Sequence, residues 1–188
     1  MSKINIGTIP ASVSPTVIAG AIVNGKANYL TLGGCGGMSR SPPLMYITLN
    51  KAHYTNAGIR EHGWFSVNLP SRDLVVKTDY VGLVSGKDTD KSGVFTSFYG
   101  KAGNAPMIEE CPVNILCKLY QTVDLPSNDV FIGEVIETYV DERLMSDGRP
   151  DMRKIDPLVL GGGAYWALGD IVGTAYKDGQ ALITRSKK

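Results

Sequence analysis

Cys35 sits in the run Gly33-Gly34-Cys35-Gly36-Gly37, where its sequence neighbours offer no side chain to bury the thiol. A thiol so placed is open to a ligand or an oxidant, and a small residue in a flexible loop is the competing reading. A second chemical group follows at Asn50, Lys51, His53, Tyr54, Thr55 and Asn56, around the expected start of a short helix with Thr55 as its N-cap. A helix N-terminus with unpaired N–H groups and hydroxyl donors beside it is a ready anion site, against which stands an ordinary surface cap. His62, in the last turn of that helix, reads as a favourable end charge. Asp88-Thr89-Asp90-Lys91 reads as a solvated turn, and Cys111 and Cys117 as core residues.

Other chemistries find no support. No Gly-x-Gly-x-x-Gly opens a helix after a strand, and no Gly-x-x-x-x-Gly-Lys-Ser/Thr is present, so neither nucleotide-binding fingerprint applies. Gly34-Cys35-Gly36 only imitates a nucleophile elbow, and a thiol hydrolase or peroxidase built on Cys35 lacks a plausible histidine partner. Two histidines and three cysteines match no zinc-ligand spacing, so no metal site is expected. With Lys+Arg 19 against Asp+Glu 18, the net charge of +1 gives no field for a polyanion, which argues against nucleic acid.

The odd cysteine count and the lack of a charged segment leading into an apolar one near Met1 lead us to expect free thiols and a cytoplasmic location. The longest weakly polar stretch, residues 158–169, is shorter than the ~20 apolar residues that span a bilayer, so no membrane helix is expected. At 188 residues and 20.2 kDa the chain suits one domain, residues 1–188.

The elements that must position these residues are mostly strands. An apolar run over residues 15–23 meets Asn24-Gly25 and then Ala27-Asn28-Tyr29-Leu30-Thr31, a strong hairpin signal. The glycine-rich run around Cys35 is expected to be a loop, followed by a strand at 44–49, the short helix ended by Gly63, and a strand at 64–68. Ser71 is expected to cap a second helix that Gly86 stops. Alternation from Val113 and again from Val130 predicts two long antiparallel strands joined near Pro126-Ser127-Asn128, and Asp178-Gly179 predicts a closing hairpin. About seven strands with two or three short helices imply a mainly β fold: an antiparallel barrel with helices at its rim.

Read in order, Asn28-Tyr-Leu-Thr31, the loop of Cys35, Ser41-Pro-Pro-Leu44, Tyr54-Thr55, Phe65-Ser-Val-Asn68, Ser85-Gly86 with Asp90-Lys91, Ile108-Glu-Glu-Cys-Pro-Val113 and Phe131-Ile-Gly-Glu-Val135 resemble the flavin reductase-like, FMN-binding split-barrel family. The flavoredoxin branch looks nearest, and the resemblance runs from about residue 16 to about residue 176. It implies an antiparallel split barrel of Greek-key type that forms a homodimer, with FMN at the dimer interface. It also implies an oxidoreductase or electron-transfer protein, fed by NAD(P)H or a reduced redox partner. A non-catalytic, redox-sensing FMN module is the alternative.

Carried over by position, Asn28, Tyr29, Leu30 and Thr31 resemble the strand along the flavin, acting mostly through backbone groups, and Cys35 the position near its reactive edge. Asn50, Tyr54, Thr55 and Asn56 resemble the stretch that meets the phosphate, Lys91 a lysine that adds charge there, and Tyr165 a residue bordering the flavin. Asn128 departs from the pattern, standing where many relatives carry His.

Overall fold

The computed structural model describes residues 2–9 and 11–185. Val13–Pro15 form β1, and the apolar run Val17–Val23 forms β2. β2 turns through Asn24 and Gly25, both at positive φ (49° and 74°), into β3 (Lys26–Leu32). That pair of positive φ values is what a two-residue hairpin needs to follow the twist of its strands. β2 is buried on both faces, which explains why its sequence is a continuous apolar run and not an alternating one.

The glycine-rich run is a correction. Cys35–Arg40 is a strand, β4, paired with β5 (Pro43–Asn50), and the Thr48 N–H donates to the Gly34 carbonyl at 2.7 Å. Glycine is tolerated here because the strand lies at a sheet edge, where small residues let Thr48 and Tyr46 of β5 press close against the backbone. Next come α1 (Thr55–His62), closed by Gly63 in the left-handed conformation as expected, and β6 (Trp64–Leu69). Ser71 caps nothing with its side chain: a 3₁₀ turn at Arg72–Leu74 leads into α2 (Val75–Leu83), which ends before Gly86.

Two short strands, β7 (Ser97–Phe98) and β8 (Met107–Ile108), precede the long antiparallel pair β9 (Val113–Asp124) and β10 (Asn128–Val140), which turns at residues 125–127. The remainder comprises β11 (Met145–Ser146), β12 (Arg149–Pro150), α3 (Met152–Ile155), β13 (Leu158–Gly161), β14 (Ala164–Ala167) and α4 (Gln180–Arg185). The expected hairpin at Asp178-Gly179 is not formed. Turns lead into α4 there, and the C-terminal hairpin lies instead between β13 and β14, at Gly162 and Gly163 with φ of 58° and 77°.

Seven strands form one antiparallel sheet in the order β3-β2-β6-β9-β10-β5-β4. Its inward side chains, among them Ala19, Leu30, Leu32, Ile47, Phe65, Cys117 and Phe131, share one core, and Cys35 of the edge strand β4 packs against it. The edges β3 and β4 share this core but no ladder hydrogen bonds, which leaves the barrel split. On the outside of β2 and β3 a second core, with Ile18, Tyr29, Phe95 and Ile108, is roofed by Val81 of α2. Cys111 and Cys117 are buried, as expected. Among the described residues no helix is long and apolar enough to cross a membrane.

Candidate functional site

The first turn of α1 and the segment that leaves α2 face each other across a cleft of about 210 Å³, with Leu30 of β3 also in its lining. Tyr54 and Thr55 line one side, Leu83, Ser85 and Gly86 the other, and His53 and Lys91 add nitrogen donors. Thr55 is the first residue of α1 and not its cap, which corrects the expectation. The N-cap residue is Tyr54, and no side chain caps the helix. The Asn56 N–H donates to the His53 carbonyl at 3.3 Å, while the other N–H groups of the first turn keep no acceptor within the helix and carry its positive end. Thr55 is buried, and its Oγ1 accepts from Asn28 Nδ2 at 2.8 Å, which ties α1 to β3.

Lys91 is buried at 3% exposure, so the solvated-turn reading is corrected. Its Nζ donates to the carbonyls of Val81 and Val84, each at 3.1 Å, and so closes the C-terminal end of α2. Burial pulls its pKa down to about 8. His53 is likewise held below its usual value, first by burial and then by the charge of Lys91. None of the described residues lining the cleft is a carboxylate. Burial thus favours the neutral form of both side chains, which lie with the helix start in one cleft.

The remaining candidates have other surroundings. Asn28 lines an adjoining cavity, which shares Tyr54, Gly86 and Lys91 with this cleft and is also lined by Asp88 and Asp90. The Tyr29 side chain turns outward into the second core, its hydroxyl at 2.6 Å from Ser97 Oγ and its ring edge-on to Phe95. Thr31 donates its hydroxyl to the Thr78 carbonyl of α2. Neither side chain lines the cleft. Asn50 accepts from the Ala52 N–H at 2.9 Å and shapes the turn before α1. Asn56 is buried and points to Asp129 of β10 at 3.0 Å. Tyr165 of β14 donates to Asp79 of α2 at 3.0 Å, and burial with that neighbouring carboxylate raises its pKa to about 12.

Cys35 is not the open thiol expected. It is half-buried against the barrel core, and burial pushes its pKa up to about 11, so it is a neutral thiol at physiological pH. Asp129 and Arg60, which hold α1 in place, gave no local signal, because the pairing runs from a strand to a helix far away in sequence.

The fold is a split antiparallel barrel with a cleft at the start of its first helix. Residues 10–169 match the model of the flavin reductase-like domain, and the chain belongs to that family. It is similar to a flavoredoxin from Methanosarcina acetivorans, at 44% identity with a TM-score of 0.91, over 97% of this chain and 98% of that one. It is also similar to the flavoredoxin of Desulfovibrio vulgaris (Miyazaki F), at 31% identity and TM-score 0.89, over 95% and 100% of the two chains. An FMN-binding protein from Thermus thermophilus shares the fold at 20% identity and TM-score 0.79, over 93% and 99%.

Proposed function

We propose that the protein is a cytoplasmic, single-domain FMN oxidoreductase or electron carrier that works as a homodimer, taking electrons from NAD(P)H or a reduced redox protein and passing them to an acceptor. The observation that carries this reading is the carboxylate-free cleft where the uncapped start of α1 meets Lys91 and His53. The cleft has about 210 Å³, short of the roughly 300–1,000 Å³ of complete small-molecule sites, so it suits one end of a ligand. A terminal phosphate fits that end.

Tyr54, Thr55 and Lys91 would hold the phosphate, with Asn28 fixing Thr55 and the backbone of β3 running beside the rest of the cofactor. Bound FMN would supply hydride acceptance and electron transfer, so the protein needs no acid–base pair of its own. Flavoredoxin relatives and the FMN-binding neighbour support this cofactor. Cys35 enters the proposal as a neutral thiol that tunes the flavin and not as a nucleophile.

Titration with FMN and with riboflavin tests the cofactor. Losing a phosphate held by two or three charge-assisted hydrogen bonds, at about 1.5–3 kcal/mol each, should weaken binding by ~10³-fold or more. Equal affinities would overturn the reading. Oxidation of NADH and NADPH, with and without added FMN, then separates a reductase from a carrier.

A further inference from the structure

Asp129 is a carboxylate at 4% exposure on a barrel strand, outside the cleft. Its Oδ2 accepts from Asn56 Nδ2 at 3.0 Å, and its Oδ1 pairs with Arg60 Nη2 at 2.8 Å. Asn56 and Arg60 are four residues apart on α1 and so share one helix face. Asn56 Nδ2 also donates to the Asn50 carbonyl at 3.1 Å, and the Arg60 guanidinium lies over the Phe131 ring, 5.4 Å from its centre. Arg60 is half exposed while Asp129 is buried, so the attraction is screened on one side and the carboxylate still bears a desolvation cost, which makes the pair a weak source of stability. What it supplies is direction. Two attachments one turn apart fix both the rotation of α1 about its axis and its slide along the sheet.

We infer that Asp129 is a positioning residue that aims the N–H groups of the first turn of α1 at the anion in the cleft, with Asn56 and Arg60 as its arms. The inference rests on the proposed phosphate-binding role of that cleft. Donors must be held to within about 0.5 Å and 10–20° to favour one ligand over another. Thr55, anchored by Asn28 on β3, and Asn56, anchored by Asp129 on β10, secure that turn from two strands.

The sign of the effect separates positioning from simple electrostatics. Removing a carboxylate from the neighbourhood of an anion site should tighten anion binding if charge alone matters, whereas loss of aim should weaken it. The test measures the FMN-to-riboflavin affinity ratio of wild type, Asp129→Leu, Asn56→Leu and Asp129→Asn, with circular dichroism to check folding. Asp129→Leu should lower the ratio by ~10-fold or more, and Asp129→Asn, which still offers an acceptor to Asn56, should restore most of it. If Asp129→Leu fails to fold, Asn56→Leu carries the test, since it cuts one arm and leaves the Arg60 pair. A ratio that rises, or that stays at the wild-type value in the leucine variants, overturns the inference while leaving the phosphate site standing. Equal wild-type affinities for the two ligands would instead remove the phosphate site itself.

Discussion

Cys35 and Lys91 show how burial rewrites the chemistry that a residue type suggests. The thiol has its pKa pushed from 9.0 to about 11, so at pH 8 its thiolate fraction falls ~100-fold. Alkylation by iodoacetamide should be slower than for a free thiol by ~10-fold or more, since the greater nucleophilicity of a high-pKa thiolate regains part of the loss, and a rate near the free value would show the thiol to be open. Cys35→Ala should cost about 1 kcal/mol, because the side chain packs against the core, and should leave the fold intact. Lys91 moves the other way, from 10.5 to about 8. Below about pH 8 it is charged in both the folded and unfolded states, and the fold bears the full cost of burying the charge. Between about 8 and 10.5 the folded protein releases this proton first, so the flavin-free protein should gain stability as pH rises through that window. Urea midpoints at pH 7.5 and 9.5 check this, with Lys91→Met as reference: the variant should lack the part of the rise that Lys91 supplies, and an identical rise in both proteins would contradict it. Binding a phosphate should return the lysine toward its ordinary value, so FMN binding near pH 8.5 should take up protons, measurable by calorimetry in buffers of different ionisation heat.

Gly86 is where the chain leaving α2 passes the start of α1. A Cβ there would lie 2.2 Å from Asn28 Oδ1 and 2.6 Å from Tyr54 Cδ1. Asn28 cannot swing aside without releasing Thr55, so Gly86→Ala should cost about 1–3 kcal/mol and weaken FMN binding, while wild-type melting temperature and affinity would show the wall to be soft. The sequence made much of this arrangement readable, because local rules decide it. Asn24-Gly25 demanded a hairpin, Gly63 ended a helix, and the alternation after Val113 and Val130 announced two strands. Local rules misled where a tertiary partner decides. The glycines around Cys35 argue against a strand in isolation, yet β5 supplies the ladder. Thr55 has the chemistry of an N-cap, but its hydroxyl is taken by Asn28. Lys91 sits among Asp88, Thr89 and Asp90 as if in a solvated turn, and the carbonyls at the end of α2 draw it inside. The grouping of Leu30, Tyr54, Thr55 and Lys91 at one cleft followed from the ordered resemblance of scattered motifs and not from any single one.

For the whole molecule, the question is what covers the apolar surface beside the cleft. Val76, Tyr80 and Leu83 fall at i, i+4 and i+7 of α2 and so form one stripe, with Val76 and Leu83 exposed at 77% and 75%. Leu83 also lines the cleft, which is too small for a whole flavin. Beside the three-stranded sheet of β1, β13 and β14, Val13 and Trp166, with Leu168 just past β14, border a second apolar hollow. Monomers seldom leave such patches bare. A second copy that covers the α2 stripe would bury it and roof the part of the ligand that the cleft cannot hold. The proposed homodimer should therefore appear in light scattering as a particle of twice the 20.2 kDa chain mass. The double variant Val76→Asp, Tyr80→Asp changes exposed positions outside the cleft and should keep its circular dichroism spectrum. It should shift toward monomer and bind FMN at least ~10-fold more weakly, because one wall of the site leaves with the partner. A wild-type monomer with FMN bound would sink the homodimer, and a double variant that stays dimeric would place the interface elsewhere. A monomeric variant with unchanged affinity would show that each chain holds its flavin alone.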